Sequence, residues 1–193
     1  MPSPIAHSLA GTISWMATGK TLRGSWLVLA VFVANLPDLD FLPGLLVQNA
    51  NRFHHGITHS LGALVVVVAV VAAVARWRHS PVRPLVTLAA LAYGSHLVLD
   101  MLAVDTRPPF GIPLFWPLHG AYVLSPLPLF LDVRRAADPS LFWVSLFSRH
   151  NFLAVMRESL LLGGALAASL AVHRRKQRRA ASSGRSEKLP PPK

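Results

Sequence analysis

Apolar residues along the chain gather into five runs separated by short polar stretches. Three of them, 61–77, 85–104 and 152–172, approach the roughly 20 residues a helix needs to cross a hydrocarbon core about 30 Å thick. Two shorter runs, 5–18 and 26–36, flank Gly19-Lys20-Thr21-Leu22-Arg23-Gly24 and read as a helical hairpin. Residues 108–149 break the pattern with Pro108-Pro109, Ile112-Pro113-Leu114-Phe115-Trp116-Pro117 and Ser125-Pro126-Leu127-Pro128. Proline lacks the backbone donor and interrupts helix, so this segment is expected to be a loop and broken helix at the membrane interface. From 174 onward the chain is basic and contains Ser and Pro, the composition of a disordered tail. No internal repeat is visible. The expected fold is all-α: a polytopic membrane helical bundle of about five apolar helices, two of them short. Residues 1–173 would form one membrane-embedded domain and 174–193 a tail.

Charge gives this bundle a direction. The formal net charge is +11 on a predominantly apolar chain, which fits a membrane protein whose loops and tail hold the charge. The basic positions fall in three places: Lys20 and Arg23; Arg76, Arg78 and Arg83; and His173-Arg174-Arg175-Lys176-Gln177-Arg178-Arg179. Short basic loops stay in the cytoplasm, and all three can do so if the five segments alternate in direction. The C terminus is then cytoplasmic. The opening Met1-Pro2-Ser3-Pro4-Ile5-Ala6-His7 lacks the basic region of a cleavable signal peptide. The same alternation sends His7, Asp38, Asp40, His54, His59, His96 and Asp100 to the opposite, extracytoplasmic side, with Asp105, Asp132 and Asp138. Avoidance of basic loops would explain the acidic residues there but not the histidines.

Those residues carry the candidate chemistry. Imidazoles and carboxylates in or beside hydrocarbon are costly and mark functional sites by default. His96 and Asp100 are an i, i+4 pair, so they share a helix face and can point at one ion or at each other. Asn35-Leu36-Pro37-Asp38-Leu39-Asp40 places two carboxylates after an apolar run that Pro37 ends; both reach one site only if the backbone turns. In His54-His55-Gly56-Ile57-Thr58-His59-Ser60, His55 and His59 have helical spacing, whereas His54 and His59 converge if the chain breaks near Gly56. His7, alone on a mildly apolar helix, reads as a packed or interfacial histidine before a ligand, and gains weight only from its side of the membrane. His55, Asp105, His119, Asp132, His150 and Glu158 form a second tier, with an ion pair to Arg157 the simplest account of Glu158. His79 and His173 sit in basic segments and are set aside. There is no cysteine, so disulfides and zinc-thiolate sites are excluded. A divalent metal held by His and Asp fits zinc best and manganese or iron next, as one or two ions. There is no phosphate-binding Gly-rich loop, Gly-x-Ser-x-Gly elbow or His-Glu-x-x-His motif.

In order, Pro37-Asp38-Leu39-Asp40, His54-His55-Gly56-Ile57-Thr58-His59-Ser60, His96-Leu97-Val98-Leu99-Asp100 and Gly111-Ile112-Pro113-Leu114-Phe115-Trp116-Pro117 resemble the motifs of the YdjM-like family of bacterial inner-membrane proteins. That family is described as metal-dependent hydrolases and as LexA-binding. The resemblance covers about residues 1–160, and His7 also matches a family histidine. It implies metal ligation by His7, Asp38, His54, His59, His96 and Asp100, in the cytoplasmic membrane of a bacterium. The family's usual Arg after its first motif histidine is His55 here, which aligns His54 as ligand and leaves His55 as neighbour. The His-x-x-x-Asp pair is distantly similar to the zinc-dependent phospholipase C group, which tilts the expected reaction to phosphoester hydrolysis, with Asp40 or Asp100 accepting a proton. Two other functions compete: a non-catalytic metal-binding or transport protein, and an interaction protein acting through its basic tail on anionic headgroups or a cytosolic protein. No specific nucleic-acid motif supports DNA binding.

Overall fold

The computed structural model describes residues 1–18, 24–49 and 51–186, without the side chains of 173 and 176–186. Among them every regular element is helical, and each of the five apolar runs forms a helix. These are α1 (Pro4–Ala17), α2 (Ser25–Asn35), α4 (Leu61–Trp77), α5 (Val82–Met101) and α7 (Arg149–Ser186). The short helices α3 (Phe41–Leu46) and α6 (Pro139–Ser145) and two 3-10 turns, Pro37–Asp40 and Ile57–His59, complete the fold. Lys20 and Arg23, in the expected hairpin turn, lie outside the described residues.

Local signals set the helix starts. Ser3 Oγ accepts from Ala6 N–H and Pro4 occupies the first turn of α1, where its missing donor costs nothing. Ser60 Oγ caps α4 by accepting from Ala63 N–H at 3.1 Å. Asp138 does the same for α6, accepting from Ser140 N–H at 2.8 Å.

Helix α5 is the centre of the bundle, packing against α1, α2 and α4, while α1 also contacts α2 and α7. Small residues bring α1 and α2 together. A Cβ on Gly11 would lie 2.8 Å from Ala30 O and 3.0 Å from Ala34 Cβ. Ala6, Ala10, Ala30 and Ala34 are all buried. Such stripes let helix backbones approach closely where no large side chain intervenes. By contrast, α4 exposes Val65, Val66, Val70 and Val74 along one face, and α7 exposes Phe152, Leu160 and Leu161. Two helical stretches, Val82–Met101 and Arg149–Val172, are long and apolar enough to cross a membrane. A third span results if α2 and Pro37–Leu46, bent by 48°, count as one.

The segment expected to be loop and broken helix remains so. It folds over the start of α4: Leu61 N–H donates to Leu114 O at 2.8 Å and Gly62 N–H to Trp116 O at 3.1 Å. These are first-turn donors that the helix itself cannot satisfy. Isolated bridges Ala103↔Phe130 and Ile112↔Val123 hold the segment in place. At the other end of the chain, α7 continues through 174–186, where the sequence suggested a disordered tail. Its Ala, Arg, Lys and Gln are strong helix formers, so the helix extends beyond its apolar part. Residues 187–193 lie outside the described residues.

Candidate metal centre

The turn at Pro37 decides where two carboxylates go. The backbone does turn there, and the 3-10 turn sends Asp38 inward and Asp40 to the histidine loop, so that the two flank His59 from opposite ring nitrogens. Asp40 faces the histidine loop. Its Oδ1 accepts from His54 Nδ1–H at 3.0 Å, and its Oδ2 accepts from Thr58 Oγ1–H at 3.1 Å. Gly56 is extended, the chain makes one 3-10 turn over Ile57–His59, and Ser60 starts α4. His59 is thereby turned inward, with Nδ1 3.2 Å from Asp40 Oδ2 and 3.1 Å from Thr58 Oγ1. Tyr93 of α5 fixes the same loop by donating to Thr58 O.

Inside, Asp38, His59, His96 and Asp100 converge so that one ligand atom from each lies within 4.8 Å of the others. His59 Nε2 is 3.6 Å from Asp38 Oδ1 and 3.3 Å from Asp100 Oδ2. His96 Nε2 is 3.9 Å from Asp38 Oδ1 and 3.0 Å from Asp100 Oδ2. His7 stacks on His96 with ring centroids 3.9 Å apart and directs Nε2 to 3.7 Å from Asp38 and 3.6 Å from Asp100. Helix α1 places it there through its close packing on α2.

Despite these short separations, Nε2 of His7, His59 and His96 and both oxygens of Asp38 and Asp100 make no hydrogen bond. His7, His59 and His96 are wholly inaccessible, and Asp100 is 3% exposed. Unsatisfied polar atoms in such a place are costly, and two unpaired carboxylates more so. The tautomers point the same way. His96 Nδ1 lies 2.8 Å from Ala34 O, which can only accept, so Nδ1 carries the proton and Nε2 offers a lone pair. Asp38 and Asp100 together contribute two negative charges. A divalent cation fits this donor set in charge, in ligand type and in the convergence of the orphaned atoms.

A family model described as YdjM inner membrane protein matches residues 1–180. The chain belongs to the YdjM inner membrane protein family. With its apolar helices, this makes it a membrane protein. No curated protein and no solved structure matches the chain, so the likeness to zinc-dependent phospholipases C finds no support there.

The family motifs thus meet at one end of the bundle, though not as equals. His54 stands outside the quartet, in a second possible group with Asp40 and His59. Burial lowers its imidazole to about 3 against the pull of Asp40, so the ring is neutral: Nδ1 donates and Nε2 is left unpartnered. His55 packs on His54 and places Nδ1 3.5 Å from Asp105 Oδ2. Burial raises the Asp105 carboxyl, but His55 and the N–H groups of Gly111 and Arg107 outweigh it and hold it down to about 2. Asp132 accepts from Thr106 and Arg134 and lies 2.9 Å from His150 Nε2.

Two second-tier residues lie elsewhere. His119 only accepts from Ala121 N–H in an exposed turn. Glu158, for which a pair with Arg157 was the simplest expectation, is buried instead and accepts from both the N–H and the hydroxyl of Ser3. It thereby holds the start of α1, four residues before His7. Sequence reasoning did not find Thr58, Tyr93, Ser3 or Arg135. Thr58 lies inside the first histidine motif and Tyr93 just before the second, but no spacing rule signals their contacts. Arg135, in the Pro-rich segment, donates from Nε to Asn51 Oδ1 at 3.0 Å and closes a cavity against His54 and His55.

Proposed function

We propose that the protein is a membrane-bound metal-dependent hydrolase acting on a phosphoester or lipid-like substrate at the extracytoplasmic side. In this reading it is a multi-pass protein of the bacterial cytoplasmic membrane with its C terminus in the cytoplasm. One observation carries the proposal: donor atoms of His59, His96, Asp38 and Asp100 converge, buried and without hydrogen bonds among the described residues. Those four would hold the ion, with His7 the next nearest. Zinc suits the His and Asp set, and manganese or iron would also be accepted. A divalent ion held there would supply Lewis acidity towards a phosphoryl oxygen and would lower the pKa of water to about 7.

The surrounding residues have separable tasks. Asp40 has both oxygens engaged, so it positions the rings of His59 and His54 rather than exchanging protons itself. Asp100 directs both oxygens inward, as a ligand would. His54, with Nδ1–H fixed on Asp40, keeps Nε2 as an unpartnered acceptor that can orient the attacking water. In phosphoester hydrolysis the water oxygen would bond to phosphorus, the ester P–O bond would break, and the proton of the water would pass to the leaving oxygen. Transport would favour ligands near the middle of the bilayer, whereas these lie at one end of the bundle. The basic C-terminal segment would add contacts to anionic lipid headgroups or to a cytosolic protein partner.

Metal analysis of the purified full-length protein tests the reading. Near-stoichiometric zinc or a similar ion is expected, with clear loss in His59→Ala and His96→Ala. Absence of metal from the wild type, with no change in the variants, overturns the centre. A panel of phosphoester and carboxylester substrates, run with wild type and Asp100→Ala, then tests for hydrolysis.

A further inference from the structure

A cavity of about 310 Å³ shares a wall with the metal centre. His54 and His55 form that wall, and Arg52, Arg107 and Arg135 line the remainder with Asn51, Asp105 and Asp132. Its two carboxylates already have partners: Asp105 with His55 and the Gly111 N–H, Asp132 with Thr106, Arg134 and His150. The three arginine side chains have no carboxylate partner. Among the described residues, no guanidinium of the three has a carboxylate oxygen within 4.0 Å; only the backbone N–H of Arg107 reaches one, donating to Asp105 Oδ1 at 3.1 Å.

Arg135 matters most. It is only partly exposed, and it is fixed through Nε on Asn51 Oδ1 at 3.0 Å and through Nη1 on the Met1 sulfur at 3.0 Å. Arg107 is tethered to the same place, donating from Nη2 to Arg135 O at 2.6 Å. Asp38, Asp40 and Asp100 act on Arg135 only from a distance; a guanidinium held in position with no carboxylate in contact is prepared for planar, paired hydrogen bonding to a carboxylate or phosphate. Towards the centre, His54 Nε2 and His55 Nε2 are both buried and unpartnered. The cavity therefore has fixed cations on one side and unsatisfied imidazole nitrogens on the side shared with the metal ligands.

We propose that this cavity binds the phosphate group of an anionic substrate, with Arg135 as its fixed counter-charge and Arg107 and Arg52 at its mouth. The inference rests on the hydrolase reading for the word substrate; the anion site itself does not. The volume lies at the lower end of small-ligand sites, about 300–1,000 Å³, so it takes a headgroup and leaves acyl chains outside. A phosphomonoester fits better than a zwitterionic diester, because its second negative charge answers a second arginine.

Binding to purified full-length protein, measured by calorimetry, tests this with three probes: inorganic phosphate, short-chain phosphatidic acid and short-chain phosphatidylcholine. Phosphate and phosphatidic acid are expected to bind and phosphatidylcholine to bind at least about tenfold more weakly. Tighter binding of phosphatidic acid than of phosphate identifies a lipid headgroup as the source; equal binding identifies a free or soluble phosphate. Arg135→Gln should weaken both anionic probes about tenfold and Arg135→Lys less. Arg107 is exposed, so Arg107→Gln keeps the fold and should weaken binding several-fold. The basic C-terminal segment is the same in every variant, so its own attraction for anions cancels. Metal content, measured on the same samples, should not change in the arginine variants. Binding by Arg135→Gln and Arg107→Gln within about twofold of wild type overturns the proposal, as does equal binding of phosphatidylcholine. Arginine-dependent phosphate binding in protein that carries no metal keeps the anion site and removes the hydrolase reading.

Discussion

At the scale of single residues, the cost of burial separates ligands from neighbours. Asp38 and Asp40 are two positions apart and chemically identical, yet Asp38 has two unpartnered oxygens and Asp40 has none. A carboxylate that holds the far nitrogen of a ligating imidazole fixes its tautomer and direction and raises its basicity. Asp40 stands in that relation to His59, whose Nδ1 is 3.2 Å away. Asp40→Asn keeps the size and one acceptor oxygen but removes the charge. We expect metal affinity to fall about 10–100-fold while the fold persists, read by competition with a chelator and by circular dichroism. Unchanged affinity in Asp40→Asn would remove Asp40 from the centre. His55 shows how neighbours in one motif divide the work: its ring pairs with Asp105, while His59 turns to the centre. Cationic groups nearby come from Arg52, Arg107 and Arg135.

Among elements, the site depends on close contacts that no helix makes alone. The Trp116-Pro117 segment lies directly on the first turn of α4, and a Cβ on Gly62 would come within 2.6 Å of Trp116 O and 2.8 Å of Pro117 Cδ. Backbone oxygen cannot swing aside as a flexible side chain can. Gly62→Ala should therefore displace the loop or the helix start, costing about 1–3 kcal/mol and lowering the melting temperature in detergent. A variant as stable as wild type would show that the clamp is loose. This contact also gives the Gly111–Pro117 motif a physical role, since Leu114 and Trp116 supply acceptors to the helix that follows His59. The apolar runs were legible because membrane-length helices are written as long hydrophobic segments, and His96 with Asp100 because one helix carries both. The 3-10 turn after Pro37 was not, because proline announces a break without giving its geometry. Nor was the bond between Ser3 and Glu158, which are 155 residues apart. Arg135 sits in an irregular segment, where no periodicity tells which side chains face inward.

For the whole molecule, the directions of the helices and the placement of charge agree. The starts of α1 and α4 and the ends of α2 and α5 meet at the His/Asp centre, as His7, His59, Asp38 and Asp100 record, while Glu158 of α7 holds Ser3 at the start of α1. The opposite end of α4 and α5 carries Arg76, Arg78 and Arg83, and α7 runs from the centre towards the basic C-terminal segment. Basic loops are retained in the cytoplasm, so the centre should open to the other side. The absence of cysteine makes this directly measurable, because a single introduced thiol is the sole target for a maleimide. Leu118 is 94% exposed in the loop over the centre, and Ser80 lies in the turn between α4 and α5. Leu118→Cys should react with a membrane-impermeant maleimide in intact cells, and Ser80→Cys only after the membrane is opened. The reverse pattern would place the centre in the cytoplasm, and a substrate delivered from the extracytoplasmic leaflet could then no longer reach it.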